Sequence, residues 1–309
     1  MNYKNVAIIG SNGFIGSHLA QKLMLIPTIN LHLFGRSEKS LFNNNLPYTQ
    51  LDIKNNTTFD KIFNNIDIVY YLASSTIPSS SWDSPIIEIE NNLIPFIRFM
   101  EAIAKTNIKK IVFISSGGTI YGSTQEKVSE DSNKNPFNPH GIIKLTMEYF
   151  LNYFNKKNTI SFDTYRVANV YGEGQNTKKG IGIINTFLES ILVNKNVHIF
   201  GDGENIRNYL YVNDLAELMY FSLMSAPDSS EIYNIASNDT ISINNLVQII
   251  KKVVPEDFEV LYTPKRQSDN SSIYLDNSKI LNVNPSFIFT DIEKGIYKTY
   301  LKIKQELNR

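Results

Sequence analysis

The chain has 309 residues, with the hydrophobic (42%) and charged (19%) fractions of a globular protein and a formal net charge of zero. This balance predicts neither the basic surface typical of nucleic-acid-binding proteins nor a polybasic patch that binds membranes. In addition, no apolar run approaches membrane-spanning length. The absence of cysteine excludes disulfides and thiolate chemistry. We therefore expect a cytoplasmic protein without a signal peptide, built as one large domain and a smaller lobe.

The first predicted element is a strand that runs into a glycine-rich turn and a helix. The strand is the apolar run Val6–Ile9, the turn carries Gly10, Gly13 and Gly16, and residues 18–23 have helical spacing. In such a turn backbone N–H groups approach a pyrophosphate, and the helix dipole favours its negative charge. The stretch predicts a dinucleotide site. The alternative is a glycine-rich turn that only packs a helix on a strand.

Strands and helices alternate along the rest of the chain, in a mixed order from about residue 172. The pattern predicts strands at 31–34, 48–53, 66–72, 110–114, 160–167, 197–200, 232–235 and 258–262, and helices at 57–63, 86–106, 138–154, 183–192, 212–224 and 243–253. Such alternation implies a parallel sheet with helices on both faces and ligands beyond the C-terminal strand ends. We predict an α/β fold, a doubly wound, Rossmann-like parallel sheet with a smaller mixed α/β lobe. Residues 1–171 would form the dinucleotide-binding domain and 172–309 mainly the substrate-binding lobe, with later segments returning to the sheet.

Five motifs, in this order, carry a family resemblance. They are Gly10-x-x-Gly13-x-x-Gly16, Leu72-Ala73-Ser74, the run from Ser115 to Gly122, the run from Arg166 to Gly172, and Gly201-Asp202-Gly203 followed by Arg207-Asn208-Tyr209. Over nearly its whole length the chain resembles the extended short-chain dehydrogenases/reductases of the nucleotide-sugar epimerase, dehydratase and reductase group.

The resemblance implies a mechanism in which a nicotinamide exchanges hydride with a sugar carbon. A tyrosine moves the hydroxyl proton, and a lysine one helical turn later lowers the pKa of that tyrosine. Lys144 fits the lysine, but the tyrosine position holds His140. Because residues i and i+4 share a helix face, the His140 side chain would take the place of the phenol. The alternative is that His140 only caps the helix start and that catalysis is lost.

The resemblance also implies a serine or threonine that positions the substrate oxygen. Its usual place holds Gly117 here, which leaves Ser115, Ser116 and Thr119 as candidates. We predict Ser116 and Thr119, although either hydroxyl could instead end a strand by bonding to the backbone. No metal site is predicted, because the four histidines lack ligand spacing.

The cofactor residues implied by the resemblance lie along the first half of the chain. They are Gly10, Asn12, Gly13, Phe14, Ile15, Gly16, Arg36, Ser37, Asp52, Ile53, Leu72, Ala73, Ser74, Asn92, Ser115, Lys144 and Val167. No acid follows the second strand until Glu38, so no side chain matches the usual partner of the NAD ribose. Arg36 and Ser37 favour the 2′-phosphate of NADP. The alternative is NAD, with Arg36 stacked on the adenine.

The same resemblance implies a nucleotide-diphosphate sugar as substrate and a homodimer. Asn169, Arg207 and Arg266 match the residues that contact the diphosphate, together with Ser116 at the sugar. Guanidinium groups bind phosphate in a bidentate fashion, which makes this assignment chemically reasonable.

Three functions follow from these observations. The preferred hypothesis is an NADPH-dependent reductase of a 4-keto (6-deoxy)hexose nucleotide, because reduction needs only a proton donor and an imidazolium can serve near neutrality. The second is a UDP-hexose 4-epimerase with tightly bound NAD. The third is a non-catalytic protein that binds nucleotide sugars.

Overall fold

A computed structural model describes residues 4–42, 46–56, 58–76, 82–124, 126–177, 182–265 and 272–308. The chain divides into two compact units. Unit 1 comprises 1–120, 136–166 and 216–233, and unit 2 comprises 121–135, 167–215 and 234–309. Each unit thus gathers separate stretches of the sequence. The assignment of dinucleotide binding to 1–171 and of substrate binding to 172–309 remains a prediction.

Strands and helices alternate through most of the chain. The strands are β1 (Asn5–Ile9), β2 (Asn30–Gly35), β3 (Tyr48–Gln50), β4 (Ile68–Tyr71), β5 (Lys110–Ser116), β6 (Lys127–Val128), β7 (Ser161–Val167), β8 (Asn169–Tyr171), β9 (Asn196–Phe200), β10 (Ile206–Tyr211), β11 (Glu231–Ile235), β12 (Thr240–Ser242), β13 (Glu259–Thr263) and β14 (Tyr274–Leu275). The α-helices are α1 (Phe14–Leu23), α2 (Phe59–Ile62), α3 (Ile86–Glu88), α4 (Ile94–Ile103), α5 (Gly117–Ile120), α6 (Pro139–Asn158), α7 (Ile183–Asn194), α8 (Val212–Tyr220), α9 (Ile243–Val253), α10 (Ser278–Val283) and α11 (Ile292–Leu307).

The main sheet has seven strands in the order β11-β7-β5-β4-β1-β2-β3. Strand β1 pairs in parallel with β2 and β4, and its residue Ile8 lies opposite Leu33 and Tyr70. These strands are apolar because helices cover both faces of a parallel sheet. Every residue of β4 is buried. The order and direction of the strands confirm the predicted doubly wound α/β fold.

The core of unit 1 is rich in aromatic side chains. The ring of Phe99 on α4 packs edge-on against Phe59 and Phe63, with centroids 5.5 and 5.4 Å apart. Tyr71 at the end of β4 packs against Phe96 at 5.1 Å in the same manner. Edge-to-face pairs of this kind stabilise a core beyond the area they bury. These ring contacts hold α4 on the sheet and so fix the position of the segment Ile89–Leu93 that precedes the helix.

A π turn interrupts the helix predicted over 86–106. Residues Ile89–Leu93 form this turn between α3 and α4. Pro95 lacks an N–H and so offers no donor to the carbonyl of Asn91, four residues before it. That carbonyl instead accepts a hydrogen bond from Ser75 Oγ at 3.4 Å. Such turns frequently occur at functional sites.

Unit 2 contains three small sheets. They are β12-β10-β8, β13-β9 and β14-β6. Helix α11 packs into the core of this unit through Ile296 and Tyr300, and Gly295 lets it approach Tyr171. Strands β8 and β10 and helix α11 are absent from the sequence-based prediction. Among the described helices, none combines the length and the apolar character needed to cross a membrane.

Candidate active site

The turn after β1 has a backbone that only glycine fits at positions 10 and 16. Gly10 has a φ of +90°, and a Cβ there would lie 3.2 Å from the carbonyl carbon and oxygen of Leu72. A Cβ at Gly16 would lie 2.1 Å from the carbonyl oxygen of Gly10. Gly13 precedes α1 and provides no side-chain cap. The backbone N–H groups of Phe14 and Ile15 in the first turn can therefore donate hydrogen bonds to a phosphate. The turn therefore has a geometry that suits a pyrophosphate, and its contact with a cofactor remains a prediction.

Asn12 connects this turn to the loop after β2. Its Nδ2 donates to the carbonyl of Lys39 at 2.8 Å, and its Oδ1 accepts from the backbone N–H of Leu41 at 3.1 Å. Arg36 and Ser37 lie in this loop with exposed side chains. The amide of Asn12 thus holds in place the loop that carries the predicted ribose contacts.

The other predicted cofactor residues follow neighbouring strands of the same sheet. Asp52 accepts hydrogen bonds from the backbone N–H of Lys54 and the side chain of Asn55 and so stabilises its own turn, while Ile53 is buried. Leu72, Ala73 and Ser74 directly follow β4, and Val167 is the buried last residue of β7. Their contact with a cofactor remains a prediction.

Two buried hydroxyl groups, that of Ser115 on β5 and that of Thr119 on α5, have no hydrogen-bond partner among the residues that the structure describes. Ser115 is 1% exposed and Thr119 8% exposed, and within the described part of the chain neither Ser115 Oγ nor Thr119 Oγ1 has a hydrogen-bond partner. A buried hydroxyl without a partner costs free energy, so such a group marks a position where a ligand can complete the bonding. Ser116, the last residue of β5, is partly exposed.

His140 and Lys144 lie one turn apart on α6. Asn138 caps this helix by accepting from the backbone N–H of Gly141 at 2.8 Å, so the capping role belongs to Asn138. Gly141 allows α6 to approach α5, because a Cβ there would lie 2.6 Å from the carbonyl oxygen of Thr119. His140 is thereby held near the turn that carries the unpartnered Thr119 hydroxyl.

The ammonium group of Lys144 is buried. Its Nζ donates to the carbonyl of Ile114 at 2.8 Å and lies 4.8 Å from the centroid of the Phe113 ring. Burial lowers the pKa of Lys144 to about 8, although the carboxylates of Glu88 and Glu148 act in the opposite direction. The positive charge therefore lies at the end of β5, next to Ser115.

Glu88 is a residue that the sequence analysis did not select. Its side chain is 1% exposed, and its Oε1 lies 3.2 Å from Nδ1 of His140. Burial alone would raise the pKa of this carboxyl, but hydrogen bonds from His140, Thr76 and Asn92, together with the charge of His140, lower it to about 2. A single acid inside the apolar run Ile86-Ile87-Glu88-Ile89 was the available signal.

Asn92 is bonded within the protein on all sides. Its Nδ2 donates to Glu88 Oε2 at 2.7 Å and to Thr76 Oγ1 at 2.6 Å, and its Oδ1 accepts from the backbone N–H of Ser75 at 3.1 Å. The structure thus shows Asn92 as a support for Glu88. Its predicted contact with a cofactor remains a prediction.

In unit 2, two of the predicted substrate residues lie in one sheet. Asn169 of β8 donates to the carbonyl of Asn208 at 3.1 Å, and Arg207 precedes Asn208 on the neighbouring strand β10. Arg207 Nη1 also donates to the carbonyl of Ile206 at 2.9 Å. Arg266 lies outside the described residues.

Taken together, the residues present fit a bound dinucleotide. A glycine cradle precedes an uncapped helix, and the polar residues Arg36 and Ser37 follow the next strand. The unpartnered hydroxyls of Ser115 and Thr119 lie where a ligand would complete their bonding. This arrangement is typical of α/β oxidoreductases that bind a dinucleotide, and an acid–base role for His140 on α6 remains a prediction.

Comparison with known proteins identifies the family. The sequence pattern of the NAD-dependent epimerase/dehydratase family matches residues 6–236, and the chain belongs to this family. A protein of Methanocaldococcus jannaschii, provisionally named a UDP-glucose 4-epimerase, is 32% identical over 297 residues, which cover 94% of this chain and 95% of the relative.

Solved structures of similar proteins agree with this assignment. The UDP-glucose 4-epimerase of Thermotoga maritima, solved with UDP-glucose, is 28% identical, with a TM-score of 0.91 and coverage of 98% of this chain and 99% of the other. The UDP-glucuronic acid 4-epimerase of Bacillus cereus, solved with UDP-glucuronic acid and NAD, is 25% identical, with a TM-score of 0.88 and the same coverage. The protein is therefore an NAD(P)-dependent enzyme of nucleotide sugars, a reductase or an epimerase.

Proposed function

We propose that the protein is a 4-epimerase of a UDP-linked hexose that works with NAD. The observation that carries the proposal is the pair His140 and Lys144 on one face of α6, with the Lys144 ammonium buried against the end of β5. Similarity to 4-epimerases over nearly the whole chain supports epimerisation over the reduction that the sequence analysis preferred. Asn169 and Arg207 would contact the diphosphate, and the sugar would lie near Ser116 and Thr119.

Each half of the epimerisation needs one proton transfer. NAD, when bound, would supply reversible hydride transfer at C4 of the sugar. His140 would take the proton of the C4 hydroxyl in the first half and give it back in the second, which is general acid–base catalysis. The hydroxyl of Ser116 or Thr119 would orient the sugar oxygen, and the Lys144 ammonium would favour negative charge on it.

Reduction of a 4-keto sugar is the second candidate function. The first acidic residue after β2 is Glu38, and the exposed Arg36 precedes it. This arrangement is compatible with NADP as the cofactor. We propose NAD, because the Bacillus cereus 4-epimerase was solved with NAD. Arg36 would then stack on the adenine.

A homodimer is also part of the proposal. Ile142, Tyr149 and Tyr153 form an exposed apolar stripe on α6, with side chains 46%, 64% and 49% exposed. Their spacing puts them on one helix face, as expected for a surface that pairs with a second copy. Light scattering should give twice the mass of the chain, and Tyr149→Glu should shift it to that of the monomer. A cytoplasmic location stays a prediction.

The identity of the product tests the proposed reaction. The purified protein is incubated with UDP-glucose and NAD, and the sugar nucleotides are separated by chromatography. UDP-galactose should accumulate until the two sugars reach equilibrium. Consumption of a 4-keto-6-deoxyhexose nucleotide with NADPH, in the absence of any epimerisation, would instead establish the reductase.

A further inference from the structure

We propose that Glu88 is a positioning residue that holds the His140 imidazole with its proton on Nδ1, so that Nε2 can both accept and return the substrate proton. The proposal rests on the proposed 4-epimerase function and adds a carboxylate–imidazole pair to it. The reaction needs such a pair because His140 stands where the resemblance implies a tyrosine.

The contacts of Ser75, Asn92 and Thr76 determine which atoms donate hydrogen bonds to the Glu88 carboxylate. The backbone N–H of Ser75 can only donate, so the amide atom of Asn92 that faces it, 3.1 Å away, is the oxygen Oδ1. The NH2 group of Asn92 must therefore face Glu88, where it donates to Oε2 at 2.7 Å. Thr76 also hydrogen-bonds to the Glu88 carboxylate.

This network leaves Glu88 as an acceptor on both oxygens. The hydrogen bonds lower the pKa of Glu88 to about 2 against the effect of burial, so the carboxyl is ionised near neutrality. An ionised carboxylate has no proton to donate. The contact of 3.2 Å between Glu88 Oε1 and His140 Nδ1 thus requires the proton to lie on Nδ1.

The consequence for the reaction concerns the other ring nitrogen. With Nδ1 protonated, the neutral imidazole carries its lone pair on Nε2. Nε2 would take the proton of the C4 hydroxyl as C4 gives up its hydride to bound NAD, and the sugar would become a 4-keto compound. The imidazolium that forms is balanced by Glu88 at Nδ1. The same proton would return to the oxygen when the hydride returns to the opposite face of C4, so the configuration at C4 is inverted and no net proton or electron is consumed.

The charged groups around His140 favour this role. Glu88 approaches it from α3, and Lys144 lies one turn further along α6. The Lys144 ammonium is bonded to the Ile114 carbonyl, so it does not compete for the Glu88 oxygens that face Asn92 and His140. Asn92 and Thr76 complete the surroundings of the carboxylate without adding charge.

The sharpest test is the substitution Glu88→Gln. Asn92 and Thr76 would keep the carbonyl oxygen of the new amide, so its NH2 group would face His140 and donate to Nδ1. The imidazole proton would then move to Nε2, where the base is needed. We expect kcat for epimerisation to fall by about a hundred-fold or more, with KM little changed. Glu90→Gln, at an exposed position on the π turn that follows Glu88, is the matched control and should change neither.

Nitrogen NMR of the protein labelled at histidine provides a readout independent of turnover. His140 is assigned by comparison with His140→Gln. The wild-type protein should show His140 protonated on Nδ1, and Glu88→Gln should show it protonated on Nε2, with an unchanged thermal melt. Protonation on Nε2 in the wild-type protein, or an unchanged tautomer in Glu88→Gln, would overturn the proposal whatever the activity.

A second background separates positioning from a general structural role. In His140→Tyr, which restores the phenol implied by the resemblance, Glu88 has no imidazole to orient. Adding Glu88→Gln there should cost less than about three-fold in kcat. An equal loss in both backgrounds would show that Glu88 only supports the fold. If the wild-type protein epimerises no UDP-hexose, the proposed function fails, and the tautomer measurement alone decides the fate of the Glu88–His140 pair.

Discussion

Nζ of Lys144 lies 2.8 Å from the backbone carbonyl oxygen of Ile114, so α6 is fastened to the end of β5 by a buried ammonium group. Two carboxylates, Glu88 and Glu148, stabilise this charge electrostatically. Burial prevails over them and lowers the pKa of Lys144 to about 8, well below its ordinary value of 10.5. The site therefore contains a cation that can lose its proton within an accessible pH range.

The first prediction is a pH dependence of stability that comes from Lys144. Between pH 8 and 10.5 the unfolded chain keeps the proton and the folded protein has lost it, so stability rises with pH in this range. The free energy of unfolding of the wild-type protein, relative to Lys144→Met, should increase by about 1.4 kcal/mol per pH unit there. Denaturant titrations at several pH values measure the difference, because the other titrating groups cancel. A constant difference would contradict the shifted pKa.

The second prediction concerns the buried pair Arg166 and Glu148. Arg166 Nη2 lies 2.7 Å from Glu148 Oε2, and both side chains are 3% exposed. Arg166→Met should destabilise the protein by about 3–5 kcal/mol, because it leaves a buried carboxylate without its cation. The exposed pair Lys302 and Glu306 is the control, and Lys302→Met should cost about 0.5 kcal/mol or less. Equal losses of unfolding free energy in the two variants would show that the buried pair contributes no more to stability than the exposed one.

The third prediction separates ligand approach from backbone packing in the glycine turn. Gly13 has ordinary extended angles, and a Cβ there would lie 3.1 Å from the Gly10 carbonyl oxygen. Gly13→Val should therefore fold but bind NAD at least ten-fold more weakly, because the side chain fills the cradle. Gly16→Val should lose stability as well, since its Cβ would collide with the same oxygen.

Gly118 supplies the control for these variants. A Cβ at Gly118 meets nothing within 4 Å, so Gly118→Ala should leave the fold intact. Calorimetric titration with NAD and thermal melts of the three variants separate the two effects. Undiminished NAD binding by a folded Gly13→Val protein would remove the turn from the site.

The fourth prediction addresses the choice of cofactor. If Arg36 stacks on the adenine, Arg36→Ala should weaken NAD and NADP by equal factors. A charged hydrogen bond to a 2′-phosphate is worth about 1.5–3 kcal/mol, so its loss would weaken NADP alone by about ten-fold or more. In titrations with the two cofactors, we expect Arg36→Ala to lose affinity for NAD and for NADP by the same factor. A selective loss of NADP would favour the reductase.

The sequence predicted the elements that have strong periodicity. The apolar strands β1, β4 and β5 and helices such as α6 could be recognised because their burial requires continuous or regularly spaced apolar residues. Strand β8 has only three residues, and β10 contains Arg207 and Asn208 among aromatic residues, so neither shows a clear pattern. Helix α11 was missed although Asp291 caps it, because its mean hydropathy is low.

The candidate site was predictable only in part. His140, Lys144 and the glycine turn lie at spacings that can be counted along the chain. Glu88 meets His140 across 52 positions, through a contact that no local spacing reveals. The π turn at Ile89–Leu93 lies between Glu88 and Pro95, within the stretch that the sequence pattern predicts as one helix over 86–106. If Glu88 orients His140 as we propose, the imidazole would serve both halves of an epimerisation and would not favour reduction.

The fate of the C4 hydrogen tests the central claim most directly. UDP-glucose labelled with deuterium at C4 is incubated with the purified protein, and the products are analysed by NMR and mass spectrometry. The account predicts UDP-galactose that retains deuterium at C4, with no net change in the redox state of NAD and no product from His140→Ala. Absence of UDP-galactose, or loss of the deuterium from C4, would contradict it.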